Sequence, residues 1–308
     1  MEKEFEQIEW GPAVEHDCRE LVRLSIREDL DRFFDWTTVS LVDESAMGQA
    51  EIVSRSDSVV AGLAAIPTIL DEMDTQLEFD SQIDDGDSVT NGQVIGSLRG
   101  SVRDLLVAER LVLNFLGRLS GVATLASKFV TEIDGTSARI YDTRKTTPGF
   151  RKLEKYAARC GGAHNHRTGL YSAILIKDNH LAFCGDSKGD FSPYDAVIQA
   201  KKFLSKTFPI EQVCNFIVEV EVDSLLQFDS VLPANPDIVL LDNMSVEELT
   251  EAVERRNQVA PKVSLEASGG VNLETVRDIA ESGVDRISVG AITHSATNID
   301  FGLDWRVN

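Results

Sequence analysis

The sequence predicts an α/β protein in two parts, a mixed α/β unit followed by a β/α barrel. Three observations predict it. From Arg139 onward short β-type runs alternate with helical ones. The first 117 or so residues mix both periods without that regular alternation. The later strands all end in polar residues or glycine. Alternation of this kind implies parallel strands covered by helices. A chain of 308 residues is long enough for one barrel-sized domain and a smaller companion.

In the first part, Ala13 to Leu30 carries Leu21, Val22, Leu24 and Ile26 at helical spacing. Residues 50–55 and 58–61 read as short strands, with a helix over 63–73 and a further strand over 76–79. Asp84-Asp85-Gly86-Asp87 and Asn91-Gly92 are turn signals around another strand pair. Two helical patterns follow between Ser101 and Glu132, interrupted near Ser120-Gly121. In the second part strands are expected over 140–142, 173–177, 216–222, 237–241, 263–267 and 286–289. Helices are expected over 150–160, 194–204, 246–259 and 273–282. Six strands are fewer than the eight of a complete barrel, so either a weak strand hides near 163–172 or the barrel is incomplete.

Composition removes several function classes. The chain is 43% hydrophobic and 26% charged, as in ordinary globular proteins. Its net charge of −21 opposes binding to nucleic acid or anionic lipid. No apolar run is long enough to span a bilayer. The acidic opening Met1-Glu2-Lys3-Glu4 lacks the apolar core of a secretory signal. Cys18, Cys160, Cys184 and Cys214 form no Cys-x-x-Cys pair, so a reducing cytoplasm is the expected compartment.

The strand ends carry the chemistry. Asp142-Thr143-Arg144-Lys145, Lys177, Glu221, Asp242-Asn243, Ser268-Gly269-Gly270 and Gly290-Ala291 stand at successive carboxyl ends. In a β/α barrel these ends converge on one rim, where barrel active sites are built. The last two ends suit a phosphate, because glycine lets backbone N–H groups approach an anion closely. Between Asp142 and Lys177 the chain carries +6, although the whole is strongly acidic. A basic concentration of that kind suits a small polyanion. Arg144, Lys145, Arg167 and Lys177 lie at strand ends or in loops, and Arg favours carboxylates while Lys suits phosphate. Lys152 and Lys155 read as a solvated helix face. Glu221 and Asp242 are acidic islands that could hold sugar hydroxyls or hydrated magnesium. His164-Asn165-His166, with His180 nearby, allows a zinc-hydrolase reading. Arg167 beside His166 argues against it by repelling a divalent ion.

These residues resemble the quinolinate phosphoribosyltransferase family, the carboxylating nicotinate-nucleotide pyrophosphorylases of NAD biosynthesis. The resemblance runs from Arg27-Glu28-Asp29-Leu30 and Asp35-Trp36-Thr37-Thr38 through Glu109-Arg110 and Asp142 to Gly149. It continues through Asn165-His166-Arg167, Leu175 to His180, Glu219 to Val222, Leu240 to Asn243, Glu266 to Gly270 and Thr293-His294-Ser295, so it covers nearly the whole chain. It implies an N-terminal α/β sandwich over 1–117 and an incomplete, about seven-stranded β/α barrel over 118–294. The tail from about 295 to 308 is expected to pack back on the sandwich.

By the same resemblance Arg110, Thr143, Arg144, His166, Arg167 and Lys177 would surround quinolinate, with Arg110 reaching across from a partner in a homodimer or larger assembly. Lys145 would meet the pyrophosphate of phosphoribosyl pyrophosphate, and Glu221 and Asp242 the ribose hydroxyls. Ser268, Gly269, Gly270, Gly290 and Ala291 would take the 5-phosphate, with His294 close behind. Mg2+ would bind mainly through the pyrophosphate. Lys145, Lys177, Glu221 and Asp242 would act in catalysis, and the ring nitrogen would be its own nucleophile.

Two departures from the family pattern stand out. Residues 181–194 form a longer, turn-rich insertion, expected to be a flap or an oligomer contact. Ser172 replaces an expected acidic residue. The competing activities are a molybdate-associated paralogue of the same fold, a nicotinate-specific transferase, and a non-catalytic binding protein. Five cations, Arg110, Arg144, Lys145, Arg167 and Lys177, favour the dicarboxylate over the first two, and the full ribose and phosphate set argues against the third.

Overall fold

The computed structural model describes residues 3–184 and 191–305. Among them twelve strands form. The first five are β1 (Met47–Ser54), β2 (Ser58–Val59), β3 (Glu78–Ser81), β4 (Ser88–Val89) and β5 (Val94–Ser101). Then come β6 (Arg139–Tyr141), β7 (Ile174–Ile176), β8 (Val218–Val222) and β9 (Ile238–Asp242). The last three are β10 (Ser264–Ser268), β11 (Arg286–Ser288) and β12 (Phe301–Trp305). The chain divides into two compact units: 1–7, 128–144 and 164–291 in one, and 8–127, 145–163 and 292–308 in the other.

The second of these units holds an antiparallel sheet in the order β12-β1-β5-β3, with a separate β2-β4 pair. β12 pairs with β1 from Ala50↔Trp305 to Ser54↔Phe301. The helix Pro12–Leu30 opens on proline, whose fixed φ suits a first turn, and buries Val14, Cys18 and Val22 along one face. The next helix, Trp36–Leu41, is capped by Asp35, whose carboxylate accepts from the N–H groups of Thr37 and Thr38 at 3.0 and 3.1 Å.

The interruption expected at Ser120-Gly121 is absent, and one helix runs unbroken from Val102 to Glu132. The two small residues serve close approach instead. Ser120 Oγ accepts from Ala61 N–H at 3.0 Å and faces Ala61 O at 3.2 Å. A Cβ on Gly121 would lie 2.3 Å from Thr297 O, and one on Gly117 would lie 2.7 Å from Ile299 O. Helix propensity disfavours glycine here, and tertiary contact overrides it.

The other unit is the β/α barrel. Its six strands are all parallel, in the order β6-β11-β10-β9-β8-β7. All six expected strands are present within two residues of their expected ends. Side chains alternate across a strand. Ile140, Val218, Val220, Val239, Leu241, Leu265, Ala267 and Ile287 share one face and are almost wholly buried. The other face carries Tyr141, Lys177, Glu219, Glu221, Asp242, Glu266, Ser268, Arg286 and Ser288. Barrel interiors are usually filled by branched apolar residues; this one keeps Leu175, Ile238 and Leu240 but sets charged side chains among them.

The sheet stays open between β6 and β7. In place of a further strand there is a single parallel bridge, Tyr141↔His164. The ladder stops there because the next backbone groups are satisfied by side chains. Asn165 N–H donates to Gln7 Oε1 at 2.9 Å, and His166 N–H donates to Asp142 Oδ1 at 2.9 Å. The expected insertion over 181–194 begins within the helix Asp178–Cys184, and its residues 185–190 lie outside the described residues.

The close approach at Gly121 gives a direct test. Gly121→Ala should destabilise the protein by about 1–3 kcal/mol, the usual cost of overpacking. Thermal unfolding measures it, and a melting point equal to wild type would show that the 297–299 segment yields freely.

Candidate active site

Asp142 organises the entrance to the barrel. It is fully buried, and it accepts from Asn165 Nδ2 at 2.7 Å and from His166 N–H at 2.9 Å. It is therefore an anchor for the segment that carries His166 and Arg167. Arg167 is nearly buried, with Nη1 directed at Ala173 O at 3.4 Å. Burial, and then the nearby Arg144 guanidinium, pull its pKa down from the ordinary arginine value. Arg144 is half-buried, and its buried Nε finds no acceptor among the described residues. Two guanidiniums held close enough to repel one another form a site that stabilises anions.

Around them stand the other strand-end residues of the same unit. Lys177, at the end of β7, pairs with Glu221 of β8. Asp242 ends β9 and accepts from Asn243 Nδ2 at 2.9 Å. At the end of β10, Gly269 and Gly270 have φ of +94° and +62°. A Cβ on Gly269 would lie 2.2 Å from Asn243 Oδ1, so glycine is required there. A Cβ on Gly270 would meet nothing within 4 Å, which leaves its backbone open to a ligand. Gly290 and Ala291 follow β11, and the four-residue helix Ala291–His294 begins there. Thr143 is half-buried between Asp142 and Arg144.

Thus Thr143, Arg144, Arg167, Lys177, Glu221, Asp242, Ser268, Gly269, Gly270, Gly290 and Ala291 all belong to the barrel unit. Arg110, Lys145 and His294 belong to the other unit. Arg110 is exposed on the helix Val102–Glu132. Lys145 is exposed, and its carbonyl accepts from Thr293 Oγ1 at 2.8 Å. His294 Nδ1 lies 2.7 Å from Ser295 Oγ. Ser172 faces Gly169, its Oγ 3.2 Å from the Gly169 carbonyl.

His166 departs from the sequence reading. Its imidazole turns into the barrel, with Nε2 at 3.2 Å from Glu219 and 3.3 Å from Glu266. Arg286 closes the cluster, its Nε 3.3 Å from Glu266 and its guanidinium 3.9 Å from the centre of the Tyr141 ring. Burial alone would depress the imidazole, but the two carboxylates outweigh it and push His166 up to about 9. Burial raises Glu219, with His166 partly opposing it. Burial also works against an ionised Glu266, yet His166 and Arg286 hold it below the usual carboxylate range.

His166 Nδ1 accepts from Arg167 N–H at 2.8 Å and so carries no proton. His166 and Glu219 are both raised, so one extra proton is shared within that pair. Arg286 offsets Glu266 there and also lies 3.3 Å from Glu4.

His166, Glu219 and Glu266 bring three possible metal-ligand atoms within 4.8 Å of one another. The shared proton and Arg286 already supply the positive charge that a cation would bring. The His-x-His zinc reading is not supported by the geometry. The His164 ring stacks on Tyr141 at 5.3 Å, and His180 Nδ1 accepts from Lys177 N–H at 2.9 Å. Sequence reasoning gave no role to Glu219, Glu266 and Arg286. The available signal was spacing, since each stands two residues before Glu221, Ser268 or Ser288 and so shares its face.

Comparison with known proteins points to one family. The sequence profile of the quinolinate phosphoribosyl transferase C-terminal domain matches residues 122–304, and that of its N-terminal domain matches 35–120. A carboxylating nicotinate-nucleotide pyrophosphorylase of Mycobacterium leprae is 40% identical over 292 residues, 93% of this chain and 96% of that protein. A probable carboxylating nicotinate-nucleotide pyrophosphorylase of Bacillus subtilis is 37% identical, over 91% of this chain and 93% of that protein. The solved nicotinate-nucleotide pyrophosphorylase of Francisella tularensis superposes with a TM-score of 0.87 at 36% identity, covering 98% of this chain and all of that one.

The shared proton makes stability pH-dependent in a defined direction. The folded pair keeps the proton up to about pH 9, whereas an unfolded histidine releases it near 6.5. Its stabilising contribution is full below 6.5 and is lost as pH rises through about 9. Stability should fall on the order of 1 kcal/mol per pH unit across that window. Denaturant unfolding at several pH values measures the slope. His166→Gln should flatten it, and equal slopes in the two proteins would place the proton elsewhere.

Proposed function

The chain belongs to the quinolinate phosphoribosyltransferase family, and we propose that it converts quinolinate and phosphoribosyl pyrophosphate to nicotinate mononucleotide, pyrophosphate and CO2 in de novo NAD biosynthesis. The observation that carries this reading is the Arg144–Arg167 pair, two mutually repelling guanidiniums with a buried Nε lacking an acceptor. A dicarboxylate relieves that repulsion and satisfies that donor. A nicotinate-specific site would need fewer cations around its single carboxylate.

In this reading Arg144, Arg167, Lys177 and Thr143 hold the two carboxylates, and Arg110 of a second copy completes the subsite. His166 forms its floor from within the barrel. Glu221 and Asp242 hold the ribose hydroxyls, and Lys145 meets the pyrophosphate. Ser268, Gly269, Gly270, Gly290 and Ala291 hold the 5-phosphate beside His294. The pyridine nitrogen attacks the anomeric carbon, and the C–O bond to pyrophosphate breaks with its electron pair leaving on oxygen. Lys145 stabilises that developing charge, and the acidic rim stabilises the oxocarbenium-like sugar. The ring nitrogen is then positive. The adjacent carboxylate departs as CO2, its bonding pair stays on the ring carbon beside N+, and that carbon takes a proton from water.

The carboxylate oxygens of Glu221 and Asp242 suit a hard, hydrated cation. Mg2+ bound with the pyrophosphate would sit near them through water and neutralise leaving-group charge. A homodimer is supported by exposed apolar side chains in the second unit, Phe33, Phe34, Trp36, Leu41 and Met47 among them. No helix of the described residues is long and apolar enough to cross a membrane. With four free cysteines, Cys18, Cys160, Cys184 and Cys214, a cytoplasmic location fits.

The deciding assay offers phosphoribosyl pyrophosphate and Mg2+ with quinolinate or nicotinate, and follows both nucleotide and CO2. Equal amounts from quinolinate alone are expected, with activity lost on chelation and restored by Mg2+. Turnover of neither acid by the folded protein would defeat the reading and favour the molybdate-associated paralogue. Arg144→Ala and Arg110→Ala should each raise the KM for quinolinate about ten- to a hundredfold, the scale of a lost charged hydrogen bond. The KM for phosphoribosyl pyrophosphate should hold, and equal loss of both would break the division of the site.

A further inference from the structure

We propose that residues 3–7 form a strap across the amino ends of the barrel strands, and that Gln7 and Phe5 are positioning residues for the dicarboxylate subsite. The proposal rests on the functional reading above and adds residues to it that lie outside the strand ends. The strap belongs to the barrel unit, although 120 residues separate it in sequence from the rest of that unit.

Its contacts are made residue by residue. Lys3 Nζ donates to Phe216 O at 2.7 Å and pairs with Asp237 at 2.9 Å, at the start of β8 and β9. Glu4 accepts from Tyr141 Oη at 3.0 Å and pairs with Arg139 at 3.2 Å and Arg286 at 3.3 Å. Phe5 is buried in a cluster with Tyr141, Ala173, Ile217 and Ile238. Its ring lies 4.4 Å from that of His166, and the Arg286 guanidinium is 5.1 Å from its centre.

Gln7 makes the decisive contact. Its Oε1 accepts from Asn165 N–H at 2.9 Å, and its Nε2 donates to Asn165 O at 3.2 Å. One side-chain amide thereby gives Asn165 the paired bonds that a neighbouring strand's backbone gives in a sheet. The Asn165 side chain is committed to Asp142 at 2.7 Å. Asn165 is held on three sides, and the two residues after it are His166 and Arg167. Phe5 blocks the imidazole on one face while Glu219 and Glu266 hold its edge. Arg167 follows with its N–H on His166 Nδ1 at 2.8 Å, so its backbone is fixed through His166. The strap touches no strand-end group that binds phosphate or ribose in this reading. Gln7 itself acts through Asn165, so its loss falls first on the acid.

Gln7→Ala in the full-length protein tests this, with Arg277→Ala as a control that removes an arginine bond to Asp134 O at 2.8 Å elsewhere in the same unit. Steady-state kinetics with both substrates are combined with calorimetric binding of phthalate, a 1,2-dicarboxylate lacking the ring nitrogen. Gln7→Ala should raise the quinolinate KM and the phthalate Kd about tenfold or more, the cost expected when a binding group is misplaced. The KM for phosphoribosyl pyrophosphate and the kcat at saturation should stay within about twofold of wild type. Gln7→Glu keeps the acceptor for Asn165 N–H but loses the donor, and should fall between. Arg277→Ala should leave both acid parameters unchanged.

The proposal is overturned if Gln7→Ala matches the control, or if every parameter falls together with the melting point. A wild type that neither binds phthalate nor turns over quinolinate defeats the functional reading, and the strap's role falls with it. A wild type that does both beside an unaffected Gln7→Ala defeats the strap's role alone.

Discussion

Inside the parallel sheet, Glu219, Glu266, Arg286 and His166 occupy space that most barrels fill with valine, isoleucine and leucine. Taking such groups out of water costs several kcal/mol per ion, about as much as a whole domain's net stability when summed. The arrangement survives because its charges are paired. Arg286 lies 3.3 Å from both Glu266 and Glu4, and the His166–Glu219 pair shares a proton. Each member is held by the others. Removing one would leave a buried charge unpaired, a loss of about 3–5 kcal/mol in comparable clusters.

That constraint extends to the rim. A strand's side chains repeat every second residue, so Glu221 follows Glu219, Ser268 follows Glu266, and Ser288 follows Arg286 on the same face. Once the interior cluster sets the register and rotation of β8, β10 and β11, the next inward residues are placed with no freedom of their own. The rim groups are thus held by a rigid layer beneath them, which is what preorganised binding of a charged ligand requires. Arg144 and Arg167 add the complementary feature. Burial and then the neighbouring Arg144 pull Arg167 down from the ordinary arginine value, and an anion between them would offset both effects.

Much of this was legible in the sequence. All six barrel strands were readable because their outward faces are continuously apolar and their ends carry glycine or charge. The helix Val246–Val259 matches its expected ends, since Ser245 and Glu248 form a reciprocal capping box. The strand-end residues were legible for the reason that barrels place them together. Two things were not. Ser120-Gly121 looked like a break because local propensity cannot report a carbonyl arriving from Thr297, and small residues in a helix signal either a break or a close neighbour. His166 looked like a rim residue because its direction depends on Glu219 and Glu266, 53 and 100 positions further on.

The open side of the barrel follows the same logic. A full strand after His164 would have placed Asn165 and His166 in a ladder, alternating outward and inward, with Arg167 constrained by the pleat. Instead the ladder ends after one bridge, and Gln7 and Asp142 take over the backbone of the next two residues. The chain is then free to turn His166 into the charged interior and to bring Arg167 against Arg144 at once. Satisfying backbone groups by side chains costs more ordering entropy than a strand does. The gain is that adjacent residues serve different ends, one completing the charge-paired core and the other presenting charge to a ligand.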